Sequence, residues 1–145
     1  MATDLYIDIN KPIDQVIELF DSFENLKQWQ PELVSYEHLS GVSGQPGAKT
    51  QLVYKMGKRE CPMIETVLER DLPEKFSGTY ETPGMTNHIE NRFEALDDNK
   101  TRWHSRVDYQ MTSIPMKILG FFMKKSFYKQ SYIFMERFRD FAEGQ

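Results

Sequence analysis

The sequence predicts an α+β domain: a curved antiparallel seven-stranded sheet, two short helices after strand 1, and a long C-terminal helix packed across the sheet. Three observations predict it. Residues 33–111 form short alternating runs broken at regular intervals by turn residues, as antiparallel strands do. From Ser113 to Gly144 the period changes, and Met116, Leu119, Met123, Phe127, Ser131, Phe134, Phe138 and Phe141 recur at steps of three and four on one helical face. A helix of about 30 residues is ~45 Å long, and only the inner face of the sheet offers it enough apolar surface.

Each element has its own signal. Leu5, Ile7 and Ile9 alternate with Tyr6, Asp8 and Asn10 in an opening strand with one buried face. Pro12 starts a helix, because its fixed φ and missing N–H suit a first turn, and Ile13, Val16, Ile17, Leu19, Phe20 and Phe23 give that helix its apolar side. A second short helix is capped by Ser22 or Asp21, carries Leu26 and Trp29, and ends at Pro31. Breaks at 41–47, 57–58, 71–74, 83–84 and 97–100 then divide a meander into strands at 33–40, 48–57, 60–71, 75–82, 85–96 and 100–111.

Charge alone registers the last hairpin. With Glu94 opposite Arg102, Glu90 meets Arg106 and His88 meets Asp108, whereas a two-residue slip sets Arg92 against Arg106 and Glu90 against Asp108. Each like-charge pair costs up to ~1 kcal/mol, so the first register is expected, with a three-residue loop and Asn99 left-handed. Phe93 with Trp103, Asn91 with Ser105, Ile89 with Val107, and Asn87 with Tyr109 then face inward.

Composition narrows the function. The 145 residues suit one domain over 1–145 with a core that needs no staple. A net charge of -4 leaves no broad basic surface for nucleic acid or anionic membrane, and Lys124, Lys125 and Lys129 read as a solvated helix face. The lone Cys61 rules out internal disulfides and thiolate-rich metal sites and suits a reducing compartment. The N-terminus lacks the blocks of a secretory signal, so the cytoplasm is expected. No apolar run approaches the ~20 residues of a membrane span, so stable membrane insertion is not expected.

The order strand, helix, short helix, six-strand meander and long helix resembles the helix-grip fold of the START-like (SRPBCC) superfamily, which includes polyketide cyclase/dehydrase-type proteins and Bet v 1 relatives. The resemblance is carried by INKPIDQVIELFDSFENLKQWQPEL (9–33), SGQPGAKTQLVY (43–54), ETVLERDLPEKFSGTYE (65–81) and NKTRWHSRVDY (99–109). These motifs specify a fold and not a reaction. What the resemblance implies is a cavity between sheet and helix for an apolar or amphipathic small molecule, such as a lipid or a polyketide, with catalysis in some branches only.

The expected lining is Trp29, Leu52, Tyr54, Met56, Phe76, Tyr80, Asn87, Ile89, Asn91, Trp103, Ser105, Val107 and Tyr109, facing Met116, Met123 and Phe127. Methionine and aromatic side chains suit an adaptable apolar pocket. They also suit a solid core, but asparagines, a serine and tyrosines on an inward face need partners. Asn87 and Asn91 are the preferred polar anchors, unless they bond each other, Ser105 or Tyr109. Trp29 is a gate or a plug, with plug favoured. Glu65 and Glu69 are expected to face solvent, with Ile64, Thr66 and Leu68 inward; were the strand bulged, they would offer a buried acid or base.

His88 and His104 fall on the outer face, and the chain has no HExxH, phosphate loop or nucleophile elbow. Neither a metal nor a cofactor is expected, and catalytic residues are not identifiable. A second stripe on the long helix, Phe121, Tyr128, Tyr132 and Met135, marks a homodimer or partner surface unless loops cover it. Three functions compete. Carriage or sensing of a small hydrophobic molecule leads; a cyclase, aromatase or dehydratase acting through Asn87, Asn91, Glu65 and Tyr109 is second; a protein-interaction module is third.

Overall fold

In the computed structural model, which describes residues 2–145, the elements run β1 (Ala2–Ile9), α1 (Ile13–Phe20), α2 (Phe23–Trp29), β2 (Leu33–Ser40), β3 (Lys49–Met56), β4 (Arg59–Asp71), β5 (Lys75–Thr82), β6 (Met85–Asp97), β7 (Lys100–Met111) and α3 (Ile114–Glu143). The seven strands make one antiparallel sheet in the order β1-β7-β6-β5-β4-β3-β2. The last strand therefore pairs with the first. The helices α1 and α2 carry the chain from that edge to the opposite one.

Local chemistry accounts for the joints. Pro12 precedes α1 in extended conformation, and the Ser22 side chain accepts from the Asn25 N–H to cap α2. Asp21, the other capping candidate, is instead gripped by both guanidinium nitrogens of Arg70 on β4. At the β5–β6 turn, Gly84 has φ +85°, and a Cβ there would lie 2.6 Å from both Met116 Cγ and Ser113 Oγ. Only glycine lets that hairpin seat the start of α3 so closely.

The β6–β7 register is the one that charge predicts: Glu94 faces Arg102, Glu90 faces Arg106 and His88 faces Asp108. The outer ladder continues onto β1, where Asp8 takes two bonds from Arg102 at 2.7 and 3.0 Å. The turn differs from expectation. Among the described residues, no residue other than glycine has positive φ, so Asn99 is not left-handed. Instead the Asp97 carboxylate accepts the Asn99 N–H at 2.7 Å, and a bulge between Ala95 and Asp97 absorbs the odd residue.

One end of the space between sheet and helices is solid. Ile7, Ile9, Val16, Trp29, Phe93, Trp103, Met135, Phe138 and Ala142 form its buried cluster. Phe138 meets the rings of Trp29, Trp103 and Phe20 at 5.2, 5.3 and 5.9 Å. Trp29 is buried inside this cluster.

Two expectations for α3 fail here. Met135, placed on the outward stripe, is 2% exposed, because it stands four residues from Ser131 and three from Phe138 and shares their face. Leu119 and Met123, placed on the core stripe, are 42% and 40% exposed. The helix packs chiefly on β1, β7, α1 and α2, and along its first turns it meets the sheet through Gly120 against the Met111 side chain. One side of its first turns rests on the β5–β6 turn and on Met111, and over 121–126 the helix is exposed.

Candidate functional site

Cross-strand pairing aligns Thr50, Glu65, Tyr80, Asn87 and Tyr109 in one row over β3 to β7 on the concave face. Beside it toward the start of α3 lies an apolar row in which Leu52 opposes Met63, Thr82 opposes Met85, and Met85 opposes Met111. A polar belt and a methionine-rich belt thus run side by side. Met85, Asn87 and Ile89 are only half-buried, which leaves this part of the face open.

The sequence-predicted residues divide between two environments. Trp29, Trp103, Ser105 and Val107 belong to the closed end and are buried. Asn91 also sits there as a structural group: its Oδ1 accepts the Trp103 indole N–H at 2.9 Å and its Nδ2 donates to the Phe76 carbonyl at 3.4 Å. Phe76 packs edge-on against Phe20 at 6.1 Å. Leu52 and Tyr54 are buried with Leu33 in a second core cluster against which Tyr80 packs, while Asn87 and Tyr109 are half-buried beside it, with Met116 and Phe127 half-buried on α3. Met56 is 58% exposed at the β3–β4 hairpin tip, and Met123 is also exposed.

Glu65 corrects the expected orientation of β4. It is 9% exposed on the concave face, while Leu68 is exposed. The two-residue turn Gly57–Lys58 sets Met56 opposite Arg59, hence Tyr54 opposite Cys61 and Glu65 opposite Thr50, on the same side as Leu52 and Tyr54. That turn was the available signal. Two residues of loop fix hairpin parity outright.

Burial raises the pKa of Glu65, opposed by a hydrogen bond with Tyr80. Tyr80 is also pushed up, by burial first and then by the charges of Glu65 and Tyr54. Tyr54 is raised by burial and by Glu65 and Glu32, and its hydroxyl donates to Gln30 Oε1 at 2.6 Å. Tyr109, raised by burial, donates to the Phe127 carbonyl at 3.2 Å and shares a 2.7 Å bond with Ser131 Oγ, tying β7 to α3. These phenols are therefore neutral donors at neutral pH.

Asn87, in the middle of the row, has a buried Oδ1 without a hydrogen-bond partner among the described residues. The Trp29 Nε1–H, within the buried cluster, is likewise unpartnered among the described residues. The row can hold a proton at Glu65, donate from Tyr80, and accept at Asn87. Among the described residues, no group of His, Cys, Asp and Glu is arranged to hold a metal ion, and no helix is long and apolar enough to cross a membrane.

The family model described as polyketide cyclase/dehydrase and lipid transport matches residues 3–139. No curated protein matches the sequence. Among solved structures, the Zhui aromatase/cyclase from Streptomyces sp. R1128 aligns with TM-score 0.81 at 13% identity, covering 99% of this chain and 93% of that one. A START superfamily protein from Mycobacterium smegmatis gives 0.79 at 13% identity over 99% of this chain and 97% of that one. Ara h 8.0201 gives 0.76 at 14% identity, covering 100% and 99%. Likeness at these identities establishes the helix-grip fold and leaves the activity to the residues.

Proposed function

The chain belongs to the polyketide cyclase/dehydrase and lipid transport family, and on that premise we propose that it binds a small amphipathic molecule on its concave face. The apolar part of the guest lies along Met63, Met85 and Met111; its polar group meets Glu65, Tyr80 and Asn87. One observation carries the reading: the Asn87 Oδ1 is buried and unpartnered among the described residues. An acceptor left so costs ~1–3 kcal/mol, which a donor on the guest recovers. Methionine side chains repack around guests of differing outline, and the half-buried Met85, Asn87 and Ile89 give access.

The reading needs no cofactor and places the protein in the cytoplasm as a carrier or sensor. Native mass spectrometry of protein purified from its own cells tests it. A stoichiometric apolar adduct is expected, diminished in Asn87→Leu. Ligand-free protein in both forms counts against it.

A cyclase, aromatase or dehydratase is the second reading, favoured by Glu65. A carboxyl buried beside a phenol, with its pKa raised by burial, is poised to hold and deliver a proton. Glu65→Gln then abolishes conversion of a poly-keto substrate while leaving binding intact. An unchanged product profile removes this reading.

A further inference from the structure

Apolar side chains crowd the first ten residues of α3 where the fold leaves them uncovered. Phe121 is 82% and Phe122 78% exposed, and Ile114, Ile118, Leu119 and Met123 are exposed as well. With residues placed about 100° apart, Ile114, Ile118, Phe121 and Phe122 fall within an arc of about 100° turned away from the buried Gly120. The two phenylalanine rings stand edge to face, 5.3 Å apart at 89°. They make a blunt wedge.

Charge distinguishes what this wedge meets. From Tyr109 to Met135 there is no Asp or Glu, yet Lys117, Lys124, Lys125 and Lys129 fall inside that stretch of a chain whose net charge is -4. Lys124, Lys125 and Lys129 follow the aromatic wedge by no more than about two turns. A second copy docked symmetrically on this face would bring lysines toward lysines. The stripe expected to form a dimer is also reduced, since Met135 is core and Tyr128 packs on the Tyr109 ring at 5.3 Å. An anionic lipid surface instead takes the rings into its interfacial layer and its headgroups to the lysines.

We infer that the exposed face at the start of α3 is a membrane-docking tip, with Ile118, Phe121 and Phe122 entering the interface of an anionic bilayer and the lysines holding its headgroups. Leu119 and Met123 lie on the helical flank that also carries Arg137, whose guanidinium bonds Glu32 at 2.8 Å beside β2. The docking rests on α3 alone and stands or falls separately from the bound guest.

The test is sedimentation of the full chain with phosphatidylcholine vesicles and with vesicles of equal parts phosphatidylcholine and phosphatidylserine, at low and high salt. The chain is expected to pellet with the anionic vesicles and to be released by salt. Phe121→Ser with Phe122→Ser should weaken that binding at least about tenfold. Changing Lys124, Lys125 and Lys129 to Gln should weaken it about fivefold per lysine, with little effect on neutral vesicles. Should a variant melt early, Phe122→Trp supplies an independent reading, a blue shift of added indole emission on anionic vesicles only. Protein that stays in the supernatant with both vesicles, lysine variants that bind as tightly as the parent, or a dimer by light scattering that Phe121→Ser breaks would each overturn the assignment.

Discussion

The Trp103 indole N–H donates to Asn91 Oδ1 over 2.9 Å, with both side chains buried. That bond separates the fates of two asparagines four residues apart on one strand face. Asn91 is occupied by the fold; Asn87 keeps a buried oxygen without a partner among the described residues. Asn91→Ala is therefore expected to destabilise the chain by about 1–3 kcal/mol, because it strands a buried donor. Asn87→Ala should stay within about 0.5 kcal/mol or stabilise slightly, having no described partner to orphan. Urea unfolding of the two variants checks the contrast, and equal losses would refute it.

Gly84 predicts a steric failure far from the polar row. A methyl group there meets Met116 and Ser113 at 2.6 Å, on a backbone with φ +85°. Gly84→Ala should cost about 2–3 kcal/mol from combined backbone strain and overpacking. Thr112 N–H donates to the Gly84 carbonyl at 2.8 Å, so the first turns of α3 should loosen with it. Faster amide exchange over residues 114–120 is the signature; a wild-type melting curve would count against it.

How much of this was legible depended on whether the governing force was local. Strand limits and the β6–β7 register follow from turn residues and from Glu90, Glu94, Arg102 and Arg106 facing one another, all within one hairpin. The Asp98–Asn99 turn was less legible, since an Asp97 side-chain bond and a bulge take the place of the left-handed Asn99 that a three-residue loop requires. Periodicity assigned α3 a stripe but not the length over which the stripe would find a partner. Met123 and Phe138 look alike in sequence, yet one is exposed and the other meets Trp29 and Trp103. Glu65 was misplaced because a carboxylate inside a sheet opposes the general rule that charge stays outside, although the Gly57–Lys58 turn already fixed its parity.

Tyr109 makes the position of α3 depend on one hydroxyl. Its bonds to Ser131 Oγ and the Phe127 carbonyl tie β7 to the middle of the helix, between the packed C-terminal half and the exposed turn at 121–126. Tyr109→Phe keeps the ring contact with Phe127 at 5.4 Å and removes only those bonds. A loss of about 1 kcal/mol is expected. Hydrogen exchange should rise between residues 120 and 131 and remain unchanged around Phe138. Uniform exchange along the helix would show that the hydroxyl does not set the boundary.

Glu65 gives stability a pH dependence of defined sign. Burial raises its pKa above the ordinary carboxyl value, so the folded chain binds this proton more tightly than the unfolded chain. Its contribution is complete below the unfolded pKa and is lost as pH rises through the folded one. Asp8 has the opposite slope, because its hydrogen bond with Arg102 lowers its pKa and its contribution is lost in acid. The two are separable by substitution. In Glu65→Gln an amide keeps contact with Tyr80 and cannot ionise, so the variant should gain stability relative to the wild type as pH climbs above the carboxyl range, while its loss in acid persists. Urea unfolding of both proteins across that range reads the difference directly. Parallel curves would mean that Glu65 reaches solvent in the folded state, and its role in the polar row would fall with that result.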